Sequence, residues 1–303
     1  ITIFEKSRGV GGRLATRRAE HFSFDHGAQY FTATTQSFKS FINPLIKSGI
    51  IKPWNARIVE FEQYKITQKN LWSDHVPHYI GVPSMNTIAK HLAKELNILL
   101  NNRVNSVQRS ENGWDIINDK NQSMGVFDWV IYANPAKQAS EIIPNYFAYY
   151  DDIANIKMSG CFSLMLGFSK LLDLGFDAAF IKNSNISWIS INNSKPERTG
   201  SLGLIINSTN DWAEAHFEHN KDEIMEYLCL ETCRIIEAKV EDIRYKNLHH
   251  WLYANVQNKN RQYVMVDINQ KIVACGDWCI DGQVEATFTS GMKVAHLILE
   301  TLK

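Results

Sequence analysis

The chain has 303 residues, of which 45% are apolar and 21% charged, enough to bury a substantial core as one large domain or two. Lys+Arg and Asp+Glu stand at 32 each, so net charge gives no pull toward nucleic acid or an anionic membrane. Five cysteines (Cys161, Cys229, Cys233, Cys275 and Cys279) are too sparse and odd a set for a disulfide scaffold. They suit free thiols in a reducing, cytoplasmic setting. The i,i+4 pairs Cys229/Cys233 and Cys275/Cys279 lack the tight C-x-x-C spacing with nearby partners, and no metal is expected. No run approaches 18 uninterrupted apolar residues, and no signal peptide is visible.

In chain order, ITIF (1–4) reads as a buried strand, closed by Glu5. Ser84 is placed to cap a helix over 85–96, where Met85, Ile88, Leu92 and Leu96 recur at helical spacing. VNSVQ (104–108) and WDII (114–117) flank Asn112-Gly113, which predicts a hairpin with a tight positive-φ turn. DWVIYANP (128–135) predicts a strand stopped by Pro135. FSLMLGF, SWISI and LGLII are strand-like, and 221–238 carries a helical stripe of Ile224, Leu228 and Ile235. Residues 271–303 predict strand, glycine-containing loop and one long helix, with Val284, Phe288, Met292, Ala295, Leu299 and Leu302 along its apolar face.

The chemistry concentrates near the start. In a dinucleotide-binding βαβ unit, the second strand ends in an acid that holds ribose hydroxyls, about 20 residues beyond the glycine turn that receives the pyrophosphate. Glu5 occupies the position of such an acid, and a solvated surface glutamate is the bland alternative. Gly9, Gly11, Gly12 and Arg13 follow, where glycines let backbone N–H groups approach an anion and Arg13 adds a guanidinium fork. Arg13, Arg17 and Arg18 form a local basic cluster. No glycine turn precedes Glu5 in this sequence. The spacing predicts that strand, turn and helix, roughly 25 to 30 residues, belong before Ile1, and hence that the sequence is N-terminally incomplete.

EKSRGVGGRLATRR followed by FDHGAQYFT resembles the renalase-like branch of the flavin amine oxidase superfamily. The likeness continues through VPSMNTIAKHLA (82–93), DWVIYANPA (128–136), ISWISINNSKPER (186–198) and CGDW to SGMKVA (275–295), in the same order. It implies an α/β fold: a discontinuous Rossmann-like FAD-binding domain lacking its first strand (1–41, 83–136 and 262–303), and a second α+β substrate domain (42–82 and 137–261). The resemblance also implies FAD as cofactor. Glu5 would hold the adenosine ribose, Gly12 and Arg13 would face the phosphates, and the backbone at Val104 would meet adenine. Ala28, Gln29 and Tyr30 would approach the flavin ring, with Gly27 leaving room. Asp277 would hold the ribityl or pyrophosphate region. Val284 and Glu285, opening the last helix, would present N–H groups to the pyrimidine edge, where a helix N-terminus stabilises reduced flavin. Core packing is the competing account of Tyr30.

No side chain is assigned a catalytic role, since hydride transfer to a flavin needs orientation and a dry pocket more than acid–base groups. The renalase-like resemblance implies the small-molecule donor: a 2- or 6-dihydro isomer of NAD(P)H, oxidised to NAD(P)+ with oxygen reduced to hydrogen peroxide. Trp188 and Trp251 are candidate pocket walls for a nicotinamide ring, with core packing as the alternative. Leu252 stands where an arginine is expected for substrate phosphates. Two other readings are an oxidase of small amines, which would want an aromatic cage and a lysine near flavin N5, and a flavin-free binding protein. His26, His249 and His250 are expected to be structural, and Cys275 and Cys279 free thiols.

Overall fold

The β-branched and aromatic residues of Thr2–Glu5 pair in parallel with Asn97–Leu100, in register from Thr2↔Asn97 to Glu5↔Leu100, in a computed structural model that describes residues 1–73, 75–257 and 262–302. The chain forms two compact units. The first comprises Ile1–Val10, Ala93–Met158 and Asn255–Lys303, the second Gly11–Leu92 and Ser159–Ala254.

In the first unit the predicted hairpin is present: Val104–Ser110 and Gly113–Asn118 pair antiparallel, joined on their other side by Ser123–Phe127. Its turn differs in detail. Gly113 pairs with Ser110, so the turn residues are Glu111 and Asn112, and the positive φ (138°) falls on Gly113 alone. Val130–Tyr132 runs parallel to Ile272–Ala274, which also pairs antiparallel with Met265–Asp267. Trp114, Tyr132, Phe147, Ile153, Ile272 and Trp278 form the core, and Phe4 packs against it.

The last helix, Val284–Thr301, forms as predicted, but its inward face is shifted. Ala286, Ser290 and Val294 are buried, whereas Met292, Leu299 and Leu302 are exposed. The reason is a docking point made of hydrogen bonds. Ser290 Oγ accepts from the Gly276 N–H (3.0 Å) and donates to the Tyr263 carbonyl (2.5 Å), so the serine face meets the strand-end loop.

The second unit is built on a seven-stranded sheet in the order Ile243–Val256, Met158–Phe168, Gly203–Ser208, Ile186–Ile191, Ala178–Lys182, Arg57–Glu62, Lys65–Leu71. Alternation along the strands gives two apolar faces. Leu164, Leu166, Leu204 and Ile206 pack with Ile224 and Leu228 of the helix Lys221–Ile235, while Met165 and Ile205 face Phe22 and Phe24. Gly167 makes room for that second layer, because a Cβ there would stand 2.6 Å from the Phe22 ring. This layering ties the antiparallel pair Thr16–Ala19 and Phe22–Asp25 to the sheet. Residues 11–41 therefore group with the second unit, as do 83–92, whereas the sequence places both with the FAD-binding domain. The sequence-derived boundary at 261/262 involves Arg261, outside the described residues.

The helix predicted over 85–96 is confined to Thr87–Leu92. Met85 and Ile88 are buried, but Leu92 and Leu96 are exposed, so only the first half of the stripe has a surface to pack on. Ser84 uses its hydroxyl on Asn86, Thr87 and Arg18 side chains, and its carbonyl accepts from the Thr87 N–H. Among the described residues no helix is long and apolar enough to cross a membrane.

Candidate functional site

In the second unit the two opening motifs meet. Gly11 and Gly12 adopt positive φ (126° and 49°) and lead into the short 3-10 turn Gly12–Leu14. That turn presents the Arg13 carbonyl to the Ala28 N–H at 2.8 Å. A Cβ on Gly27 would lie 2.0 Å from the same carbonyl oxygen, so Gly27 is demanded by the close crossing of two backbones. The sequence leads to the expectation that Gly27 leaves room for backbone, and the backbone it makes room for is that of Arg13. Nothing lies within 4 Å of a Cβ built on Gly12, which leaves its backbone accessible to an anion. The Arg13 guanidinium reaches the Ala254 carbonyl at 3.1 Å.

Gln29 is turned inward. Its Nε2 donates to the carbonyls of Asp25 (2.6 Å) and Gly27 (2.9 Å), and its Oε1 accepts from Ser190 (2.8 Å) and Lys195 (3.2 Å). The side chain thus braces the loop 25–30 from within. Beneath it lies a buried charge cluster that the sequence reading did not single out. Asp25 accepts from Thr16 (2.6 Å), the Met85 N–H (3.0 Å) and Arg198 through Nε (3.1 Å) and Nη2 (2.8 Å), with Lys195 Nζ at 3.6 Å. Burial by itself would raise the Asp25 pKa, but Lys195, Arg198 and the hydrogen bonds hold it below the ordinary value. Lys195, wholly buried with its ammonium over the Trp54 ring, is pushed down to about 8 by desolvation against the opposing pull of Asp25. Both partners stand in quoted motifs, FDHGAQYFT and ISWISINNSKPER, so residue type was visible while proximity was not.

Tyr30 is half-buried at the edge of a ring group. It meets Trp72 at 4.6 Å, His78 at 5.1 Å and Trp188 at 5.9 Å between centroids. Trp72 lies flat on His78 at 3.7 Å and 3°. Tyr30 and Trp188, both anticipated, are brought together; Trp72 and His78 come from an irregular stretch with no periodic signal. Trp251 belongs to another group, stacked on His26 (5.4 Å) and edge-on to His249 (4.2 Å), with its Nε1 donating to the His26 carbonyl at 2.7 Å. His249 is pushed down to about 4 by burial and by its neighbours His26 and Arg17, so it is uncharged at neutral pH.

In the first unit Glu5 ends its strand at the carboxyl end of the parallel pair and accepts from the Ser7 N–H at 2.7 Å. Val104 opens its strand and packs against the core. Asp277 is buried at the start of a 3-10 turn, and its carbonyl receives the N–H groups of Ile280, Asp281 and Gly282. Val284 and Glu285 begin the last helix, and Gln283 before them supplies no side-chain cap. Glu285 and Ala286, in its first turn, are buried. All five cysteines are free and buried.

Residues 63–299 match the model of the flavin containing amine oxidoreductase family, and residues 1–45 match an NAD(P)-binding Rossmann-like domain. The chain belongs to the flavin-containing amine oxidoreductases. The fold agrees: a protein from Exiguobacterium sp. 255-15, described as a protoporphyrinogen oxidase, superposes with TM-score 0.75 at 8% identity, over 99% of this chain and 93% of that one. A putrescine oxidase variant superposes with TM-score 0.68 at 10% identity, with the same coverages. This flavoprotein is an oxidoreductase with FAD as its cofactor. Its residues fit that group. The second unit offers an open backbone at Gly12 beside Arg13, and the first offers a helix N-terminus to which Gln283 gives no side-chain cap and an acid at a parallel strand end.

Proposed function

We propose that this flavoprotein is a renalase-like oxidase. Its donor is a 2- or 6-dihydro isomer of NAD(P)H, and its products are NAD(P)+ and hydrogen peroxide. When bound, FAD would supply the hydride acceptor and the route for two electrons to oxygen, and donor, oxygen and one proton would balance to NAD(P)+ and one peroxide. The chain's own part is to bind and orient. Glu5, Gly12, Arg13, Ala28, Val104, Asp277, Val284 and Glu285 are assigned to the cofactor, with Gln29 acting from inside the loop and Tyr30 at its edge. The carrying observation is the pairing of Tyr30 with Trp188 in one flat-ring group, which suits a planar nicotinamide. Arg17, whose Nε is buried without a hydrogen bond among the described residues, stands beside His26 and His249 and supplies positive charge for substrate phosphates in the absence of an arginine at Leu252. Trp251 backs that second group.

A second reading, oxidation of a small amine, is favoured by the family and by Lys195, a buried lysine joined to the flavin-side loop through Gln29. The test is anaerobic titration of the FAD-loaded protein. Bleaching of the flavin by either dihydronicotinamide isomer, with one peroxide per NAD(P)+ once air is admitted, is the expected result. Bleaching by putrescine or benzylamine and by neither isomer would transfer the assignment to the amine reading.

A further inference from the structure

Resting on the dihydronicotinamide reading, a more specific assignment follows from the ring group around Tyr30. Trp72 and Trp188 are nearly parallel (19°) with centroids 6.3 Å apart, and Trp72 is backed by His78. The backbone holds these rings in place. The Trp72 N–H donates to the Ala56 carbonyl (2.9 Å), the Trp54 N–H to the His78 carbonyl (2.7 Å), and Phe31 and Tyr79 exchange two hydrogen bonds (2.9 and 2.7 Å) beside Tyr30. A flat wall held by strand-type bonds is pre-organised, which reduces the ordering cost of binding.

The second observation is a donor without an acceptor. Trp188 is 6% exposed, yet its buried Nε1 meets no hydrogen-bond partner among the described residues. Trp54, deeper in the same group, is in the same condition. A buried N–H left unmet is costly, so a ligand that brings an acceptor gains by removing that cost. The ammonium of a small amine brings only donors. The carboxamide of a nicotinamide brings a carbonyl on a flat ring. Burial also keeps His78 below the usual imidazole range, against a smaller opposing contribution from the Val76 backbone, so the wall behind Trp72 is neutral.

We infer that Trp188 Nε1 donates a hydrogen bond to the carboxamide carbonyl of the substrate, and that Trp72, stacked on His78, is the wall that orients its ring. Together they select a planar ring bearing a carbonyl over an aliphatic amine.

The test is calorimetric titration of the FAD-loaded protein with two probes, NAD+ and pyridine adenine dinucleotide, which lacks the carboxamide. In the wild type NAD+ is expected to bind about tenfold tighter. Trp188→Phe keeps a ring but removes the N–H, and should weaken NAD+ about tenfold while leaving the pyridine analogue within twofold. Trp72→Leu should weaken both by roughly three- to tenfold, and Trp72→Phe should restore most of the loss. Unchanged NAD+ affinity in folded, FAD-loaded Trp188→Phe and Trp72→Leu would overturn the inference while leaving the proposed function standing. A wild type that binds benzylamine and neither dinucleotide would overturn both the proposed function and the Trp188 assignment, and the same Trp72 variants titrated with benzylamine would then decide the wall. Binding of no planar ring would overturn both.

Discussion

At the scale of single residues, Gly27 and Gln29 fix the backbone geometry of the loop 25–30. Gly27 is small because the Arg13 carbonyl passes where its side chain would be, and Ala28 completes the crossing with its N–H. Gln29 spends its amide on Asp25, Gly27, Ser190 and Lys195. Residues 11–14 and 25–30 are therefore one structural object in the second unit, stitched by main chain and braced by a buried amide. Gly27→Ala is expected to force the Arg13 and Ala28 backbones apart. Unfolding in urea should show a loss of about 3 kcal/mol or more, and the purified variant should emerge from desalting with little flavin absorbance. A variant with wild-type stability and a full flavin spectrum would show that the crossing is dispensable.

At the scale of elements, the last helix is the informative case. Its existence and length follow from composition, but its inward face does not follow from apolar spacing. Ser290 turns the helix by joining the Gly276 N–H to the Tyr263 carbonyl, and Ala286 and Val294 follow it inward. The helix N-terminus at Val284 and Glu285 inherits its position from that contact. Ser290→Ala is expected to cost about 2 kcal/mol through two unmet backbone groups, and to raise the apparent Kd for FAD as the helix start shifts. Thermal unfolding together with a flavin-binding titration measures both. A stability loss with unchanged FAD affinity would separate the helix's anchoring from its role toward the cofactor. The short helix Thr87–Leu92 teaches the same lesson in reverse, since Leu92 and Leu96 have the spacing of a stripe but no surface to cover.

At the scale of the whole molecule, the buried Asp25–Lys195–Arg198 cluster sets how stability responds to pH. Asp25 has its pKa lowered on folding, so its contribution is complete above 3.8 and is lost as pH falls through the folded value. Lys195 is also lowered, from 10.5 to about 8, which has the opposite meaning for a base. Below pH 8 the protein carries the full cost of a buried ammonium. Between about 8 and 10.5 the unfolded chain holds the extra proton, so stability rises with pH. Urea midpoints should therefore increase over that window in the wild type, beyond any change in Lys195→Met. A wild-type curve as flat as that of the variant would mean that Lys195 is compensated in both protonation states.

The sequence by itself determined the α/β class, the hairpin of residues 104–118, the strand–loop–helix ending and the likeness to a flavin oxidoreductase family. These depend on local periodicity, glycine placement and motifs read in order, which are properties of neighbouring residues. Only the tertiary structure decided that Asp25 meets Lys195 and Arg198, that Trp72 and His78 join Tyr30 and Trp188, and that Trp251 belongs to another ring group. Those outcomes depend on which strands become neighbours in the seven-stranded sheet. Residues more than a hundred positions apart share a site there because burying both apolar faces of that sheet leaves them no other place.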